Sequence, residues 1–329
     1  MAARGSAPVL GAICDAGNDE AVGVGGAISQ SLSSASRWSI STGYRWQDSY
    51  RHFVGDVEQT QRILQQTQVE NKIHLMDVGV SYQLTPRWTL SASAPIMKAE
   101  RISHRTMAKT HSTGIGDMSI GATAWIFRPP SENHMNVQVG FALKLPTGIS
   151  NITNRAANGT VTAVDQSIQL GDGGTGFTLS YAAYKSIHRF TVYSSGSYLF
   201  NPMNTNGVRT GRGRASEAIM SVADQYLWQG GLGYAVPKLR GLAFTFGGRM
   251  EGVPAYDLLG KSDGFRRPGY AVSVVPGLQF EHGKDMWSLN VAIAVRRDRT
   301  VSTSDKIDHT HGDAAFADSV FMMGYSRSF

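Results

Sequence analysis

The chain of 329 residues is poor in cysteine, in long apolar runs and in catalytic motifs. Its single cysteine, Cys14, excludes an internal disulfide and a metal site built from several cysteines. No stretch approaches the roughly 18 consecutive apolar residues that a membrane helix requires. The sequence contains no glycine-rich phosphate loop and no His-Glu-x-x-His motif. We therefore expect neither a membrane helix nor a familiar active site.

Dense positive charge is also missing. The net charge is +6, but the 31 Lys and Arg residues are scattered and form no dense run. A nucleic-acid-binding protein usually concentrates basic residues in a patch or a recognition motif. We therefore expect no nucleic-acid partner.

The first 35 residues are expected to form an N-terminal periplasmic segment or the remnant of an export signal. Arg4 is followed by the apolar stretch 7–13, which is short for a secretion signal. Either the numbering begins after a processing or annotation error, or the export signal is missing; a lumen plug and a disordered tail are further alternatives. Cys14 fits a lipoprotein signal poorly, and we interpret it as incidental.

The last stretch, 316–329, shows the pattern that the rest of the chain repeats. Every second residue back from the end is Phe329, Arg327, Tyr325, Met323 and Phe321, whereas the intervening residues are mostly small. Side chains of a strand alternate between its two faces, so one face is mostly large and apolar. A terminal aromatic strand resembles the last strand of bacterial outer-membrane barrels, although Arg327 departs from the usual apolar residue there.

Alternation of this kind predicts about twelve strands of roughly ten to twelve residues each, the length that a tilted membrane strand needs. They lie near 37–48, 73–84, 88–96, 116–127, 135–145, 177–183, 190–200, 225–236, 242–251, 270–281, 287–296 and 316–329. Short turns follow the even strands and long loops follow the odd ones. We therefore predict an all-β fold: a transmembrane antiparallel up-and-down barrel over 36–329, with short periplasmic turns and long extracellular loops. A sandwich does not sort its loops by length, and a propeller needs a blade repeat that is absent.

The long loops are polar. The segment 50–71 could form a turn of helix around Ile63 and Leu64, and 148–174 is rich in Asn, Thr and Gly. The loops 101–113 and 203–221 are basic, and the first carries Arg101. Such loops could meet anionic lipopolysaccharide or a dedicated extracellular partner.

Aromatic residues near the strand ends are expected at the two membrane interfaces. These residues are Trp38, Trp46, Trp88, Phe190, Phe200, Tyr226, Trp228, Trp287 and Phe329.

The inward-facing set is mostly small or polar, and its charged members are the candidate pore residues. They are Arg45, Asp77, Asp117, Lys144, Arg249, Glu251, Glu281 and Arg296. One interpretation is that they pair across the lumen and stiffen the wall; the other is that they form a mildly selective constriction. Eight-stranded barrels are filled by side chains and sixteen-stranded ones are open, so twelve strands predict a narrow passage that a loop can plug.

Three short segments resemble a known family. Gly114–Gly121 reads Gly-Ile-Gly-Asp-Met-Ser-Ile-Gly, 143–148 reads Leu-Lys-Leu-Pro-Thr-Gly, and 170–175 reads Leu-Gly-Asp-Gly-Gly-Thr. In order and spacing over about 114–185 they are similar to segments of the MetA-pathway-of-phenol-degradation family of barrels. The resemblance implies an outer-membrane channel-like protein, and some members lie beside aromatic-degradation pathways. It carries over no binding residues, and Asp117 and Lys144 are expected to be inward neighbours on adjacent strands.

One pair of histidines is a candidate for binding a metal. His309 and His311 lie one residue apart in a loop and could share a metal with Asp308 or Asp313. No third fixed ligand is visible, so we expect no metal, no cofactor and no enzyme activity.

The sequence therefore predicts a passive outer-membrane channel for small solutes, aromatic or apolar ones among them. The alternative is a non-conducting scaffold or binding barrel whose long loops hold a partner. Expected partners are outer-membrane lipid and lipopolysaccharide, the barrel-assembly machinery and the solute; the oligomeric state is open.

Overall fold

The structure, a computed structural model, describes residues 37–127, 134–156 and 159–329. Segment 1–35, including Cys14, therefore lies outside the described residues. The strands are β1 (Trp38–Val54), β2 (Val57–Glu58), β3 (Val69–Gln83), β4 (Trp88–Ser103), β5 (Ala108–Ile115), β6 (Ser119–Trp125), β7 (Met135–Lys144), β8 (Thr153–Arg155), β9 (Val161–Ala163), β10 (Gly176–Ile187), β11 (Phe190–Phe200), β12 (Thr205–Arg209), β13 (Ile219–Ser221), β14 (Gln225–Ala235), β15 (Leu242–Val253), β16 (Gly269–His282), β17 (Asp285–Asp298) and β18 (Ala314–Ser328).

In the described part of the chain, helical structure is limited to short turns. They are α1 (Gln61–Leu64), α2 (Thr303–Ile307) and two 3-10 turns, Gln166–Ile168 and Ala215–Glu217. The turn α1 contains Ile63 and Leu64, where the sequence predicted it. Within the described ranges, no helix is long and apolar enough to cross a membrane.

The wall is a closed antiparallel barrel of twelve strands. Neighbouring strands follow the order β1, β3, β4, β6, β7, β10, β11, β14, β15, β16, β17, β18, and β18 pairs with β1 from Ser39↔Ser328 to Phe53↔Ala314. The strand β5 pairs with the outer part of β4, so β5 and β6 act as one wall strand that is broken at residues 116–118. We call the end with short connections the turn end and the other the loop end.

The two faces of each strand differ as the alternation predicted. In β3, Leu75 and Asp77 are buried whereas Met76 and Val78 are exposed. The exposed face is apolar in strand after strand, which is the reverse of a soluble protein, where water covers a polar face.

The strands β1, β3 and β4 extend further towards the loop end than the alternation predicted. The expected loop 101–113 is instead mostly a hairpin of β4 and β5, with Ile102↔Lys109 among its pairs. The sequence did not reveal these strand ends, because they lie beyond the apolar band and their outward residues are polar.

The long connection between β7 and β10, which we call the insert (residues 145–175), folds into the barrel. Val164, Ile168 and Leu170 of the insert pack against Leu75 and Met97 on the inner wall, together with Ile73 and Ala99. The inner wall is therefore apolar at this level, where alternation alone predicted a polar lumen. Apolar residues face inward here because the insert covers them.

Where the insert enters the lumen, the backbones of Gly116, Gly148 and Gly171 lie in close contact. A Cβ atom at Gly148 would lie 2.8 Å from the Gly116 carbonyl carbon and 2.9 Å from the Gly171 Cα atom. Real Cβ atoms do not approach other atoms so closely, so the crossing requires glycine at 148, and at 171, where a Cβ atom would lie closer still to the Gly148 carbonyl oxygen.

We predict that Gly148→Ala destabilises the insert by about 1–3 kcal/mol, because the added methyl group forces two backbones apart. Limited proteolysis of the folded barrel should then cleave residues 149–170 faster than in the wild type. The control is Gly213→Ala, because nothing lies within 4 Å of its added Cβ atom. Equal cleavage of the two variants would contradict the steric role of Gly148.

Candidate functional site in the outer half of the lumen

An ion pair crosses the lumen between two of the predicted inward charges. Arg45 on β1 donates to both carboxylate oxygens of Glu251 on β15, at 2.9 and 3.1 Å. Three strands lie between β1 and β15 along the shorter path of the wall. Arg249 donates to the same carboxylate at 2.9 Å, and Arg45 also donates to Gln47 at 3.0 Å. This cluster narrows the lumen by joining two wall strands that are not neighbours.

The three glycine-containing segments meet in a second buried cluster. The Lys144 ammonium group is hydrogen-bonded to Asp172, and its Nζ atom lies 3.8 Å from an Asp117 oxygen. Asp117 accepts the backbone N–H groups of Gly148 at 2.9 Å and Asp172 at 3.1 Å. Asp117 and Lys144 are 0% and 1% exposed. The cluster therefore fixes both ends of the insert to the broken wall strand and to β7.

The remaining predicted inward charges separate into two groups. Asp77 is buried on the inner face of β3, and Glu281 is part-buried on β16 near the turn end. Arg296 differs from the prediction: its side chain is 59% exposed and lies 3.9 Å from Asp56. The pairs Val272↔Arg296 and Ser273↔Ala294 show a β-bulge that inserts one extra residue into β17. The register therefore shifts by one residue, and Arg297 faces inward instead of Arg296.

Arginines surround the outer tip of the insert. Arg267 donates to both carboxylate oxygens of Asp165, at 2.8 and 2.7 Å, and Arg101 lies 3.4 Å from the same carboxylate. The Arg212 guanidinium group stacks over the Phe265 ring at 3.9 Å, and Arg267 lies over this ring at 4.6 Å. We call Arg101, Arg212 and Arg267 the arginine mouth.

The arginine mouth sets the charge of Asp165. Burial raises the pKa of this carboxyl group, but the positive charges of Arg101 and Arg267 outweigh burial and hold its pKa well below the usual range. Its oxygen also accepts the backbone N–H of Ser167 at 2.9 Å, which begins the 3-10 turn. Asp165 is therefore an ionised carboxylate in an arginine site.

Sequence reasoning missed most of this arrangement. It placed Arg101 in an external loop that could meet lipopolysaccharide, whereas the residue lies on β4 and turns into the lumen, where it donates to Asn71 at 2.8 Å. Arg267 carried no signal, because its loop meets the insert only in the folded barrel. The one local signal was the Asp165-x-Ser167 spacing, which is typical of a side chain that caps a turn.

The predicted histidines do not form a metal site. His311 Nε2 is 2.7 Å from the Arg299 carbonyl oxygen, and His309 is exposed. Within 37–127, 134–156 and 159–329, no group of three or more His, Cys, Asp or Glu side chains could hold a metal ion.

Another histidine, His52, lies beside Asp313. Its Nδ1 is 2.6 Å from the carboxylate, and its Nε2 accepts the backbone N–H of Val69 at 2.9 Å. Both ring nitrogens are therefore engaged, so the pair lacks the free nitrogen that a general base needs.

Ser262 lies in the segment Gly260-Lys261-Ser262-Asp263-Gly264, which has the Gly-x-Ser-x-Gly pattern of some hydrolase nucleophiles. The Ser262 hydroxyl accepts the backbone N–H of Asp257 at 2.8 Å and donates to its carboxylate at 3.4 Å. No histidine lies among its hydrogen-bond partners in the described ranges. The segment serves to order the loop.

The predicted interface aromatics lie on the outward face at two levels. Trp38, Trp88, Phe190, Trp287 and Phe329 are near the turn end, whereas Trp46, Phe200, Tyr226 and Trp228 are towards the loop end. Outward apolar residues such as Val78 and Phe246 lie between the two levels. This distribution is that of two aromatic girdles around an apolar band.

No protein-family model matches the chain, and no curated protein matches it. Its fold is similar to that of an outer membrane channel from Pseudomonas putida F1, at 14% identity and a TM-score of 0.61, over 90% of this chain and 96% of that one. It is less similar to the translocator domain of the autotransporter NalP from Neisseria meningitidis (12%, 0.46, 92% of each chain) and to the CymD monoaromatic hydrocarbon channel (11%, 0.46, 94% and 96%). The first comparison confirms the barrel fold, and the family suggested by the short segments remains an expectation.

We predict that Glu251→Gln destabilises the barrel by about 3–5 kcal/mol, because it leaves Arg45 and Arg249 without their carboxylate. The measurement is denaturant unfolding of the purified protein in detergent. The control is Asp56→Asn, which removes an ion pair whose two side chains are about 60% exposed and should change little. Unfolding midpoints that shift equally would contradict a special role for the cross-lumen pair.

Protonation of Asp313 should loosen the external loop 299–313 at low pH. Burial raises the pKa of this carboxyl group, but the hydrogen bond from His52 and the charge of Arg62 lower it from 3.8 to about 2. A lowered pKa gives stability that is present above pH 3.8 and lost as the pH falls towards about 2.

Hydrogen–deuterium exchange, corrected for intrinsic rates, should show protection of this loop falling between about pH 4 and pH 2. In Asp313→Asn the protection should already be lower than in the wild type at pH 4, and its further fall towards pH 2 should be smaller. A wild-type loop that stays protected at pH 2 would contradict the prediction.

Proposed function

We propose that the protein is a passive channel of the bacterial outer membrane for small solutes, with no enzyme activity. One observation carries the proposal: the barrel is closed, its outward face is an apolar band between two aromatic levels, and its inward face is mostly polar. A closed barrel satisfies its backbone hydrogen bonds within a membrane, where water is absent. An apolar outer face and a polar inner face then suit lipid outside and a polar passage inside.

The lumen favours a narrow, loop-gated passage over a wide pore. The Arg45–Glu251 pair and the insert occupy its outer half, whereas inward side chains near the turn end, such as Ser81 and Ser91, are part-exposed. The inner charges are mostly paired, which supports the interpretation that they stiffen the wall. Conduction then requires the insert to move.

Apolar residues on the inner wall support a particular class of solute. Leu75, Met97 and Ile73 would face the passage if the insert withdrew, because Val164, Ile168 and Leu170 now cover them. We therefore propose that the solutes include aromatic or apolar molecules. Outer-membrane lipid and lipopolysaccharide would contact the outward face, and the barrel-assembly machinery would insert the barrel.

A non-conducting binding or scaffold barrel is the second candidate, because the external loops are tied together. The Ser304 hydroxyl lies within hydrogen-bond distance of the carbonyl oxygens of Ser216, at 3.0 Å, and Gly264, at 2.8 Å, and Ser216 donates to Asp308 at 2.5 Å. A cap of this kind could present a fixed surface to a partner.

Conductance of single molecules in a planar bilayer separates the two candidates. The informative variant replaces residues 151–169 by a short Gly-Ser linker and keeps the Asp117, Lys144 and Asp172 cluster. The new ends lie close together, since the Gly171 N–H donates to the Ile149 carbonyl at 3.1 Å.

We expect a small or intermittent current from the wild type and a larger, steady current from the shortened protein. Silence from both, in protein that resists unfolding by detergent, would contradict the channel and favour the scaffold. Equal currents from both would show that the insert does not gate the passage.

A further inference from the structure

The Asp165 carboxylate occupies a site whose arginines belong to other parts of the chain. Arg101 lies on β4, and Arg267 lies in the loop between β15 and β16, whereas Asp165 is carried by the insert. The two parallel hydrogen bonds from Arg267 are the geometry in which a guanidinium group recognises a carboxylate. The insert therefore presents its carboxylate to these arginines as a ligand would.

The charges around the site leave a positive excess, because Asp313, whose charge also acts on Arg101 and Arg267, is itself paired with Arg62 at 2.7 Å. Arg101 and Arg267 share the single carboxylate of Asp165, and Arg212 beside them faces Glu217 at 3.3 Å. A part-buried arginine stays charged at any working pH. If Asp165 left, two guanidinium groups would remain without their carboxylate, which is costly unless another anion replaces it.

The residues beside Asp165 are apolar and fill the adjacent inner wall. Val164 and Ile168 are 1% and 0% exposed, and they pack with Leu75 and Met97. The part of the insert that enters the mouth therefore combines one carboxylate with a compact apolar body. A small aromatic or branched carboxylic acid has the same two features.

We propose that Arg101 and Arg267 form a binding site for small apolar carboxylates, and that Asp165 fills this site as an internal competitor. A solute carboxylate replaces the Asp165 carboxylate on the two arginines, and its apolar body takes the place of Val164 and Ile168. This exchange releases the outer tip of the insert. The inference rests on the proposed channel function, because it names the class of solute that the channel admits.

The test is calorimetric titration of the purified protein in detergent with benzoate as the probe and benzyl alcohol as the uncharged comparison. With an internal competitor, the apparent affinity is the intrinsic affinity multiplied by the fraction of sites that the competitor leaves free. Asp165→Asn removes the competing charge, so benzoate should bind it about 10-fold tighter than the wild type. Benzyl alcohol should bind both proteins equally and weakly.

Three further variants keep the result interpretable. The protein with 151–169 replaced lacks Asp165, Val164 and Ile168 altogether and should bind benzoate at least as tightly as Asp165→Asn does. Adding Arg267→Gln to Asp165→Asn should abolish that gain, whereas adding Asp56→Asn, an exposed residue that faces Arg296, should leave it unchanged.

Equal benzoate affinity of the wild type and both proteins that lack the Asp165 charge would overturn the proposal, as would a gain that survives Arg267→Gln or applies equally to benzyl alcohol. Binding in detergent does not require conduction. Benzoate binding without any bilayer current would thus contradict the channel alone, whereas current without tighter binding in Asp165→Asn would contradict the carboxylate site alone.

Discussion

The structure depends on the closure of its sheet. Once β18 pairs with β1, the wall has no free edge along that seam, and its backbone groups bond within the ring. Closure at twelve strands also creates a problem, because the ring encloses more space than the side chains of the wall can fill. The chain resolves this by reaching across the lumen with ion-paired side chains and by folding one long connection inward.

The inward connection explains the glycine-rich segments. Gly116, Gly148 and Gly171 meet where the insert passes the break in the wall, and Asp117, Lys144 and Asp172 hold that crossing together. These residues satisfy one another and face no open passage. Their arrangement is therefore structural.

The arginine mouth differs from the other charged clusters. The Arg45–Glu251 pair joins two wall strands and changes only if the wall changes, whereas Arg101 and Arg267 hold a carboxylate on a segment that is anchored at its base. Electrostatic contacts between a rigid wall and a tethered segment can be exchanged for equivalent contacts to a solute. This difference makes the tip of the insert the part of the lumen best suited to respond to a ligand.

The sequence by itself determined the barrel. Period-two alternation and the sorting of loop lengths predicted all twelve wall strands, because lipid outside and polar groups inside act on every strand independently. The predicted bounds were less exact, since β1 and β4 extend six and seven residues beyond their predicted ends. Only the tertiary structure decided the contents of the lumen. The bulge that exchanges Arg296 for Arg297, the burial of Leu75 under Ile168 and the meeting of Asp165 with Arg267 all depend on contacts between segments distant in the chain. Local patterns carry no record of such contacts, since each residue alone would be equally acceptable in a loop.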